Sequence, residues 1–544
     1  MSGALGAVVV REPSAKYLVR PEPASIHGFE LLTTAPGGVA ELRALIHSLA
    51  IRGLLVSHDS GDQPASALIV DIRVVKDRLV ADGKLRPDKP SEQVCADDQP
   101  FAVPASWAWA RFGSVSINRD GERIPVSSED RQPRAKLFDY YGASGVIDKI
   151  DGFLFDQTLL LIGEDGANLI NRATPIAFLA SGKFWVNNHA HVIDATHPEL
   201  MQYLCLFINA ISLEPYITGT AQPKMNQAKL NSIPVALPPL AEQHRIVARV
   251  EELMRLCDAL EQSGRLADEQ HARLTSTLFD ALAASESAHA LAENWQRIAE
   301  HFDLLLDRPK AIASLEQTIF QLAVRGLLVP QDATVALDDV DSVKKPFNLP
   351  TGWRWTTFGA VWLTSLYGPR FGAGDYVSGG GIPTVRTTDM SGGRIVLKDA
   401  PTVRVPAEKL DSYLIRRGDL LVTRSGSIGV MALFDLDTAA IPSAYLIRLR
   451  FTRNVTPAFC HLFLTSDLGK TQLGISTTAV GVPNVSASKM ARFIFPLPPL
   501  AEQHRIVARV EELRHLCTQL RERLSDARRT QSQLADALVA EVLA

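Results

Sequence analysis

Cysteines are few in this 544-residue chain, and long apolar runs are absent from it. The five cysteines are scattered and form no CxxC pair, so the sequence predicts free thiols in a reducing, cytoplasmic compartment rather than disulfides or a zinc site. No segment reaches the roughly 18 apolar residues of a membrane span. The apolar run at 7–10 lacks the basic lead-in of a signal sequence. These absences argue against a membrane protein and against a secreted one.

An excess of basic residues is also missing, because the formal net charge is -4. This value excludes a uniformly basic nucleic-acid coat but permits a local basic surface. Between 366 and 430 the basic residues outnumber the acidic ones by three. A solvated mixed surface and a local nucleic-acid surface are both open interpretations of that segment.

Catalytic motifs are missing as well. The chain has no Asn/Asp-Pro-Pro-aromatic tetrad of an amino-methyltransferase, and Gly469 to Thr471 lacks the leading glycine of a phosphate-binding loop. Gly372 to Gly374 lacks the third glycine of a dinucleotide-binding loop. His189 and His191 are metal-ligand types, but the sequence offers no supporting cluster for them. The pattern favours a binding subunit over an enzyme and predicts no cofactor and no metal.

An internal repeat is the strongest positive feature of the chain. The run LPPLAEQHRIVARVEEL occurs at 237–253 and again, letter for letter, at 497–513. Two further pairs of matching segments are LRALIHSLAIRGLLV (42–56) with LEQTIFQLAVRGLLV (315–329), and FAVPASWAWARFG (101–113) with FNLPTGWRWTTFG (347–359). Each half therefore reads as a helix, a linker, a variable block and a long helix.

The repeat divides the chain into seven segments. They are an extension (1–28), a helical region with a linker (29–100), a first variable block (101–236), a long helix (237–283), a helical connector (284–346), a second variable block (347–496) and a terminal long helix (497–544). Short alternating runs broken by turns predict strands in both blocks, so the fold class is α+β with two globular α/β domains. Four tryptophans should pack the first strand of each block: Trp107, Trp109, Trp353 and Trp355.

Apolar residues in both long helices are spaced alternately four and three apart, which is the seam of a coiled coil. About 40 residues at 1.5 Å each give a rod of roughly 60 Å. We expect the two rods to form an antiparallel coiled coil that relates the halves by a pseudo-two-fold axis. The alternative is that each helix packs only on its own variable block.

Polar residues off this seam are identical in the two copies, although the neighbouring blocks have diverged. A recent duplication alone predicts equal similarity throughout. We therefore interpret the identical run as a repeated surface that docks two copies of one partner. The predicted partner-binding residues are Glu242, His244, Arg245, Arg249, Glu502, His504, Arg505 and Arg509.

Polar segments also fall where loops would project from the blocks. NNHAH (187–191) joins two strand-like runs, and TGTAQPKMNQAKL (218–230) and STTAVGVPNVSASKM (476–490) precede the end of each block. Such side chains read base edges and hold phosphates, but solvated loops have the same composition. Composition alone leaves both interpretations open.

The order of these motifs resembles the specificity subunit of type I restriction-modification systems. The likeness rests on the LAxRGLLV helix, the GKLRPDKP linker (83–90), the VPASWAW and LPTGWRW runs, YGASGVID (141–148) and the twofold LPPLAEQHRIV, and it extends from Phe29 to the C-terminus. The second block departs from the first, with GDLLVTRSGSIG in place of its motifs. Its individual contacts are therefore harder to assign.

The resemblance implies a subunit without chemistry of its own. The blocks would be target recognition domains that each read half of a split double-stranded DNA site, and the long helices would be spacers that bind two methyltransferase subunits, which carry S-adenosylmethionine and are joined by restriction subunits. The implied DNA contacts are Asn187, Asn188, His189, Gln222, Lys224 and Asn226 in the first block, and Arg370, Arg386, Thr387, Arg424, Ser425, Asn484 and Ser486 in the second. Two rivals are a fused enzyme and a coiled-coil scaffold that binds only proteins.

Overall fold

The computed structural model describes residues 24–87, 93–219, 222–331, 345–424, 429–474 and 485–543. The chain divides into a first unit, 1–265 with 528–544, and a second unit, 266–527. Each unit thus contains the first half of one long helix and the final part of the other. Among the described residues, no helix combines the length and the apolar character needed to cross a bilayer.

Helices surround a mixed β-structure in the first unit. Its helices are α1 (Ala24–Thr34), α2 (Gly38–Ile51), α3 (Ala65–Ala81), α4 (Phe112–Val115), α5 (Ser128–Arg131), α6 (Asn168–Asn171), α7 (Pro198–Ala210) and α8 (Gln227–Asn231). Its strands are β1 (Ala108–Arg111), β2 (Ile117–Asn118), β3 (Phe138–Gly142), β4 (Gly145–Ile150), β5 (Phe155–Asp156), β6 (Leu159–Gly163), β7 (Ala177–Ala180), β8 (Lys183–Val186), β9 (Ala190–Asp194) and β10 (Pro234–Leu237).

Two four-stranded sheets form the first variable block. One has the order β2-β9-β6-β7, and the other has the order β4-β3-β8-β5. Strand β6 is buried along its whole length because helix α7 and the second sheet cover it, which explains its continuous apolar run. The strands β1 and β10, at the start and end of the block, pair antiparallel and close it.

The two long helices are α9 (Leu240–Ala283) and α17 (Leu500–Leu543). The helices that come between them in the sequence are α10 (Ala288–Ala299), α11 (Phe302–Leu305), α12 (Pro309–Val324), α13 (Ala407–Tyr413), α14 (Pro457–Thr465), α15 (Asp467–Leu473) and α16 (Ala487–Ala491). The strands are β11 (Arg354–Thr357), β12 (Trp362–Tyr367), β13 (Tyr376–Val377), β14 (Ile382–Val385), β15 (Met390–Ser391), β16 (Arg394–Ile395), β17 (Thr402–Val403), β18 (Leu420–Thr423), β19 (Met431–Leu433), β20 (Ile441–Pro442), β21 (Leu446–Phe451) and β22 (Ile494–Leu497).

The second variable block repeats the main sheet of the first. Its main sheet has the order β12-β21-β18-β19, which matches β2-β9-β6-β7 strand for strand. A second sheet has the order β13-β17-β14-β20, and β11 pairs with β22 as β1 pairs with β10. The structure therefore confirms the α+β class, with two globular domains, two long helices and an internal repeat.

The repeated motifs meet at one joint in each unit. Helix α2 is followed by Gly53, whose φ of 74° is open to glycine, and a Cβ there would lie 2.6 Å from Pro104. The indole of Trp107 packs on this glycine and donates to Glu242 Oε1 at 3.1 Å.

The second joint uses the equivalent residues. Gly326 also has a φ of 74°, and its missing Cβ makes room for Pro350 and for Trp353. The Trp353 indole donates to Glu502 Oε1 at 2.9 Å. The tryptophans thus pack at the start of each block, as predicted, and Trp109 and Trp355 pack against Phe101 and Phe347 in a tilted and an edge-on arrangement.

The predicted seam of the long helices is buried over the first half of each helix. The fully or nearly buried residues are Ile246, Val250 and Cys257 in α9, and Ile506, Val510 and Cys517 in α17. Further along, the four-three spacing also places Leu274 and Leu534 on the seam, and there the prediction is wrong, because each is 54% exposed. The buried stripe moves to Phe279 and Leu282 in α9, and to Ala535 and Val539 in α17. A 3.6-residue turn drifts from a strict 3.5-residue repeat, which accounts for the shift.

Candidate nucleic-acid interface

Polar loops of the first domain gather at one end of its sheets. Strands β3 and β8 run parallel, with Tyr141 opposite Val186, so the turns that follow them lie side by side. The second of these turns is 187–189. Strand β6 ends at the same edge, and its continuation Asp165 forms a bridge with Lys224. The structure therefore brings together the predicted segments 187–189 and 222–226.

In the turn 187–189, Asn187 is buried and has a structural role, whereas the next two residues are exposed. Asn187 is only 6% exposed, and its Oδ1 accepts the backbone N–H of His189 at 2.8 Å. The prediction that Asn187 contacts DNA is therefore not supported, since its amide shapes the turn. Asn188 and His189 are exposed, and the His189 ring lies 2.8 Å from the Asp165 carboxylate.

The segment 222–226 presents three exposed polar side chains. Gln222 is exposed, and the Lys224 ammonium lies 3.1 Å from Glu164 Oε1. Asn226 caps helix α8, because its Oδ1 accepts the Lys229 N–H at 3.0 Å. Lys224 and Asn226 thus have structural partners besides any contact with a ligand.

A buried ionic cluster lies beneath these loops and was missed from the sequence. His191 is 1% exposed, and its Nδ1 lies 2.6 Å from Asp120 Oδ2. Arg123 donates to Glu164 Oε2 at 2.8 Å and to the Ala190 carbonyl at 2.7 Å. These contacts join residues that are 41, 67 and 71 positions apart, so no local pattern signals them. His191 therefore pairs with carboxylates, and no group of metal-ligand residues is found in the described part of the chain.

The charges of the cluster shift its pKa values. Burial alone disfavours a charged ring at His191, but the hydrogen bond and charge of Asp120 outweigh it and raise the His191 pKa. Burial likewise opposes charge on Asp120, yet the hydrogen bond and charge of His191 lower the Asp120 pKa. At Glu164 the Arg123 hydrogen bond and the His191 charge overcome burial and lower the pKa.

The second domain places Arg424 at the matching edge. Arg424 follows β18, and its guanidinium lies 4.9 Å from the centre of the Tyr367 ring. The hydroxyl of Tyr367 accepts the Ala487 N–H, and Ser486 caps α16 through the Lys489 N–H. Arg424 and Ser486 are therefore brought together, as expected for one recognition surface.

The remaining predicted residues of this domain lie in neighbouring loops. Arg370 is exposed in the loop after β12. The Arg386 guanidinium donates to the Asp389 carboxylate at 2.7 Å and 3.1 Å, so it already has a partner. Half-buried Thr387 begins the short helical turn 387–389, which this ion pair closes. Ser425 and Asn484 fall outside the residues that the structure describes.

The predicted docking surface needs a correction at Glu242 and Glu502. Glu242 and Glu502 are only 1% and 2% exposed. Their carboxylates face inward and accept the indole N–H groups of Trp107 and Trp353. They are wrong as docking residues. The recurrence of PxxW (104–107 and 350–353) together with AEQ in both halves was the available signal, since a repeated tryptophan offers an indole N–H to a buried acid.

The other six residues remain accessible to different degrees. His244 and His504 are exposed. Arg249 and Arg509 are also exposed and form identical pairs with Glu252 and Glu512 at 2.6 Å. Arg245 and Arg505 are half-buried; Arg245 forms an ion pair with Asp62, and Arg505 donates to the Pro330 carbonyl.

Comparison with known proteins gives consistent relatives. The family model described as "Type I restriction modification DNA specificity domain" matches residues 111–268 and 367–527. The EcoAI specificity subunit of Escherichia coli is 29% identical over 92% of this chain and 93% of its own length. The EcoEI specificity subunit of the same organism is 30% identical over the same shares.

A solved structure has the same fold. It is described as "Structural basis underlying complex assembly and conformational transition of the type I R-M system", and one of its chains aligns with a TM-score of 0.50 at 19% identity, covering 82% of this chain and 99% of that one. The two matched segments cover most of each variable block and the first half of the long helix that follows it. This chain therefore belongs to the family of type I restriction-modification DNA specificity subunits.

Proposed function

We propose that this chain is the non-catalytic subunit that selects the DNA sequence for a type I restriction-modification complex, and that it reads a two-part, asymmetric site. One observation carries the proposal: the two domains share their main sheet but carry side chains of opposite charge directly after β6 and β18. The backbone carbonyl of Glu164 accepts the Met225 N–H at 2.8 Å, and the backbone carbonyl of Arg424 accepts the Val485 N–H at 3.1 Å in the equivalent bond. Two domains with the same main sheet but different side chains are suited to reading two different half-sites.

The exposed loops supply the chemistry for base recognition. In the first domain Asn188, His189, Gln222 and Lys224 offer donors and acceptors of the kind that read base edges in the major groove. In the second domain Arg370 and Arg424 are the candidates for paired hydrogen bonds with guanine or for phosphate contacts. Arg386, Thr387, Asn226 and Ser486 are assigned to holding those loops, and Ser425 and Asn484 remain predicted contacts.

The repeated helix surface is assigned to two methyltransferase subunits. His244 and the Arg249–Glu252 pair recur as His504 and the Arg509–Glu512 pair, and Leu256 and Leu516 are exposed beside them at 55% and 48%. Identical surfaces imply one kind of partner bound twice. The methyltransferase subunits would bring S-adenosylmethionine, and restriction subunits would join the same complex.

Sequencing of modified adenines tests the proposal. Host DNA with the gene should carry a modified, asymmetric two-part motif that is missing when the gene is deleted, while a deletion of an unrelated gene serves as control. Modification of DNA by the isolated chain with S-adenosylmethionine would support a fused enzyme instead. Absence of sequence-dependent DNA protection in the assembled complex would support a scaffold that binds proteins only.

A further inference from the structure

The buried ring of His191 links the recognition loops of the first domain from below. It lies on β9, two residues after exposed His189, and is 1% exposed. Its two nitrogens face different segments: Asp120 in the loop after β2, and the carbonyl of Met225 beside Lys224.

Both partners of the His191 ring accept hydrogen bonds. Nε2 lies 2.8 Å from the Met225 carbonyl oxygen, which has no proton to give. Nδ1 lies 2.6 Å from Asp120 Oδ2, which also accepts the Asn118 amide at 3.1 Å. The other Asp120 oxygen accepts the Val192 N–H at 2.8 Å. An ionised carboxylate satisfies these donors, so the ring needs protons on both nitrogens and is an imidazolium.

The charged neighbours of the ring are consistent with this charge. Glu164 Oε2 is 3.9 Å from Nδ1, and Arg123 lies beyond the two acids, 2.8 Å from Glu164 and 3.5 Å from Asp120. Lys224 also binds Glu164, at 3.1 Å. Among the described residues the cluster thus holds two acids and three cations, and the two acids are the charged groups nearest to the His191 ring.

Loss of one proton from the His191 ring removes one of its two hydrogen bonds. A neutral ring donates from only one nitrogen, so either the Asp120 loop or the Met225 segment loses its hydrogen bond. The Met225 segment carries Lys224 and Asn226, and the Ala190 carbonyl at the start of β9 is held by Arg123. The recognition loops would then be held less firmly relative to one another.

The second domain has no such group at the matching position. His191 pairs with Ile162 across β9 and β6, and the equivalent pair across β21 and β18 is Ile447 with Val422. Ile447 is fully buried and apolar. A change in the charge of His191 therefore acts on the first domain alone.

We infer that His191 is a positioning residue whose charged ring fixes the recognition loops of the first domain, so that one half-site, and not the other, depends on its protonation. This inference rests on the proposed function. His191 contacts no base itself. It acts through Met225 on the segment of Lys224, and through Asp120 and Arg123 on the turn of His189.

The direction of the pH dependence follows from the two shifts. The His191 pKa is raised in the folded chain, so its stabilising effect is fully present below the ordinary histidine value and is lost as the pH rises through the folded pKa. The Asp120 pKa is lowered, so its effect is present above the ordinary aspartate value and is lost as the pH falls through the folded pKa. Recognition of the first half-site should decline on the alkaline side first.

Binding of the methyltransferase complex to four duplexes tests the inference: the intact site, each half-site scrambled, and both scrambled. His191→Gln should reduce discrimination at the half-site read by the first domain by about tenfold or more, the loss expected for a charged hydrogen bond. Discrimination at the other half-site should stay within about twofold. Asp120→Asn should move the alkaline decline of the first half-site to lower pH.

His289→Gln is the matched control, because that histidine is 86% exposed on α10 and outside both surfaces. Nitrogen-15 spectra of histidine-labelled full chain, assigned with His191→Gln, should show both ring nitrogens protonated at neutral pH. A neutral His191 ring, or equal discrimination and pH profiles in His191→Gln and the wild type, would overturn the inference. Wild-type complex without discrimination at either half-site would refute the proposed function, and this inference with it.

Discussion

Asp419 is a buried acid that neutralises two arginines in the second domain. Its side chain is 2% exposed and lies 2.7 Å from Arg450 and 3.9 Å from Arg448. Burial lowers the pKa of Arg448, and the charge of Arg450 lowers it further. The Arg416 backbone N–H also binds Asp419, at 2.8 Å. One carboxylate therefore holds the turn before β18 and supports the strand that leads to Arg424.

Asp419→Ala should destabilise the chain by about 3 to 5 kcal/mol, because it leaves buried Arg448 and half-buried Arg450 without their carboxylate partner. Urea unfolding followed by circular dichroism measures the change. Asp437→Ala is the matched control, since Asp437 pairs with Arg417 at 2.7 Å but is 86% exposed. That variant should stay within about 0.5 kcal/mol of the wild type. Equal stability of the two variants would contradict the assigned role of Asp419.

Arg424→Ala should weaken DNA binding by about 1 to 3 kcal/mol if the guanidinium reads a base. Fluorescence anisotropy of the assembled complex with its determined site measures this loss. Arg453 is exposed after β21, which runs antiparallel to β18, so it lies at the opposite end of the sheet. Arg453→Ala should therefore bind like the wild type. Unchanged affinity in Arg424→Ala would remove that residue from the contacts.

At the scale of elements, the repeat explains which features were predictable. The strands at the start and end of each block, the two long helices and the packed tryptophans follow from local patterns that occur twice. The Trp107–Glu242 bond spans 135 residues and the Asp120–His191 pair spans 71, so no periodicity points to them. The exposure of a side chain was also unpredictable where it depends on packing by distant segments, as at Asn187.

Each arginine of the RGLLV motif caps a long helix from the other half of the sequence. Arg52 donates to the Leu543 carbonyl at the end of α17, and Arg325 donates to the Ala283 carbonyl at the end of α9 at 2.8 Å. The carbonyls at a helix C-terminus lack partners within the helix and carry partial negative charge. The repeated arginine therefore satisfies the same need in both units.

Arg325→Ala should fray the last turn of α9 at a local cost of about 0.5 to 2 kcal/mol. Hydrogen exchange measured by mass spectrometry should become several-fold faster in peptides that cover 277–285, with peptides from α17 unchanged. Arg297→Ala, on the nearby helix α10, is the control for loss of a surface cation. Faster exchange throughout both units would instead indicate global destabilisation.

At the scale of the whole molecule, the two runs at the start of the long helices are identical in sequence whereas the two variable blocks have diverged, which indicates a shared task for the helices and different tasks for the blocks. The joints formed by Gly53, Trp107 and Glu242, and by their equivalents, account for part of the identical run through packing alone. They do not account for exposed His244 and His504, which make no contribution to those joints. This remainder is the part of the repeat that a shared partner explains.

The last prediction concerns how many partners the repeat binds. His244→Ala and His504→Ala should each weaken one of two equivalent methyltransferase sites, so native mass spectrometry should shift from two bound subunits toward one. The double variant should lose both, with helicity by circular dichroism unchanged. Glu251→Ala with Glu511→Ala, on the same exposed helix surfaces, tests whether any polar substitution has this effect. Because the two histidines lie in identical sequence runs, strongly unequal losses in the single variants would contradict equivalent docking sites, and undiminished binding in the double variant would exclude these residues from the interface.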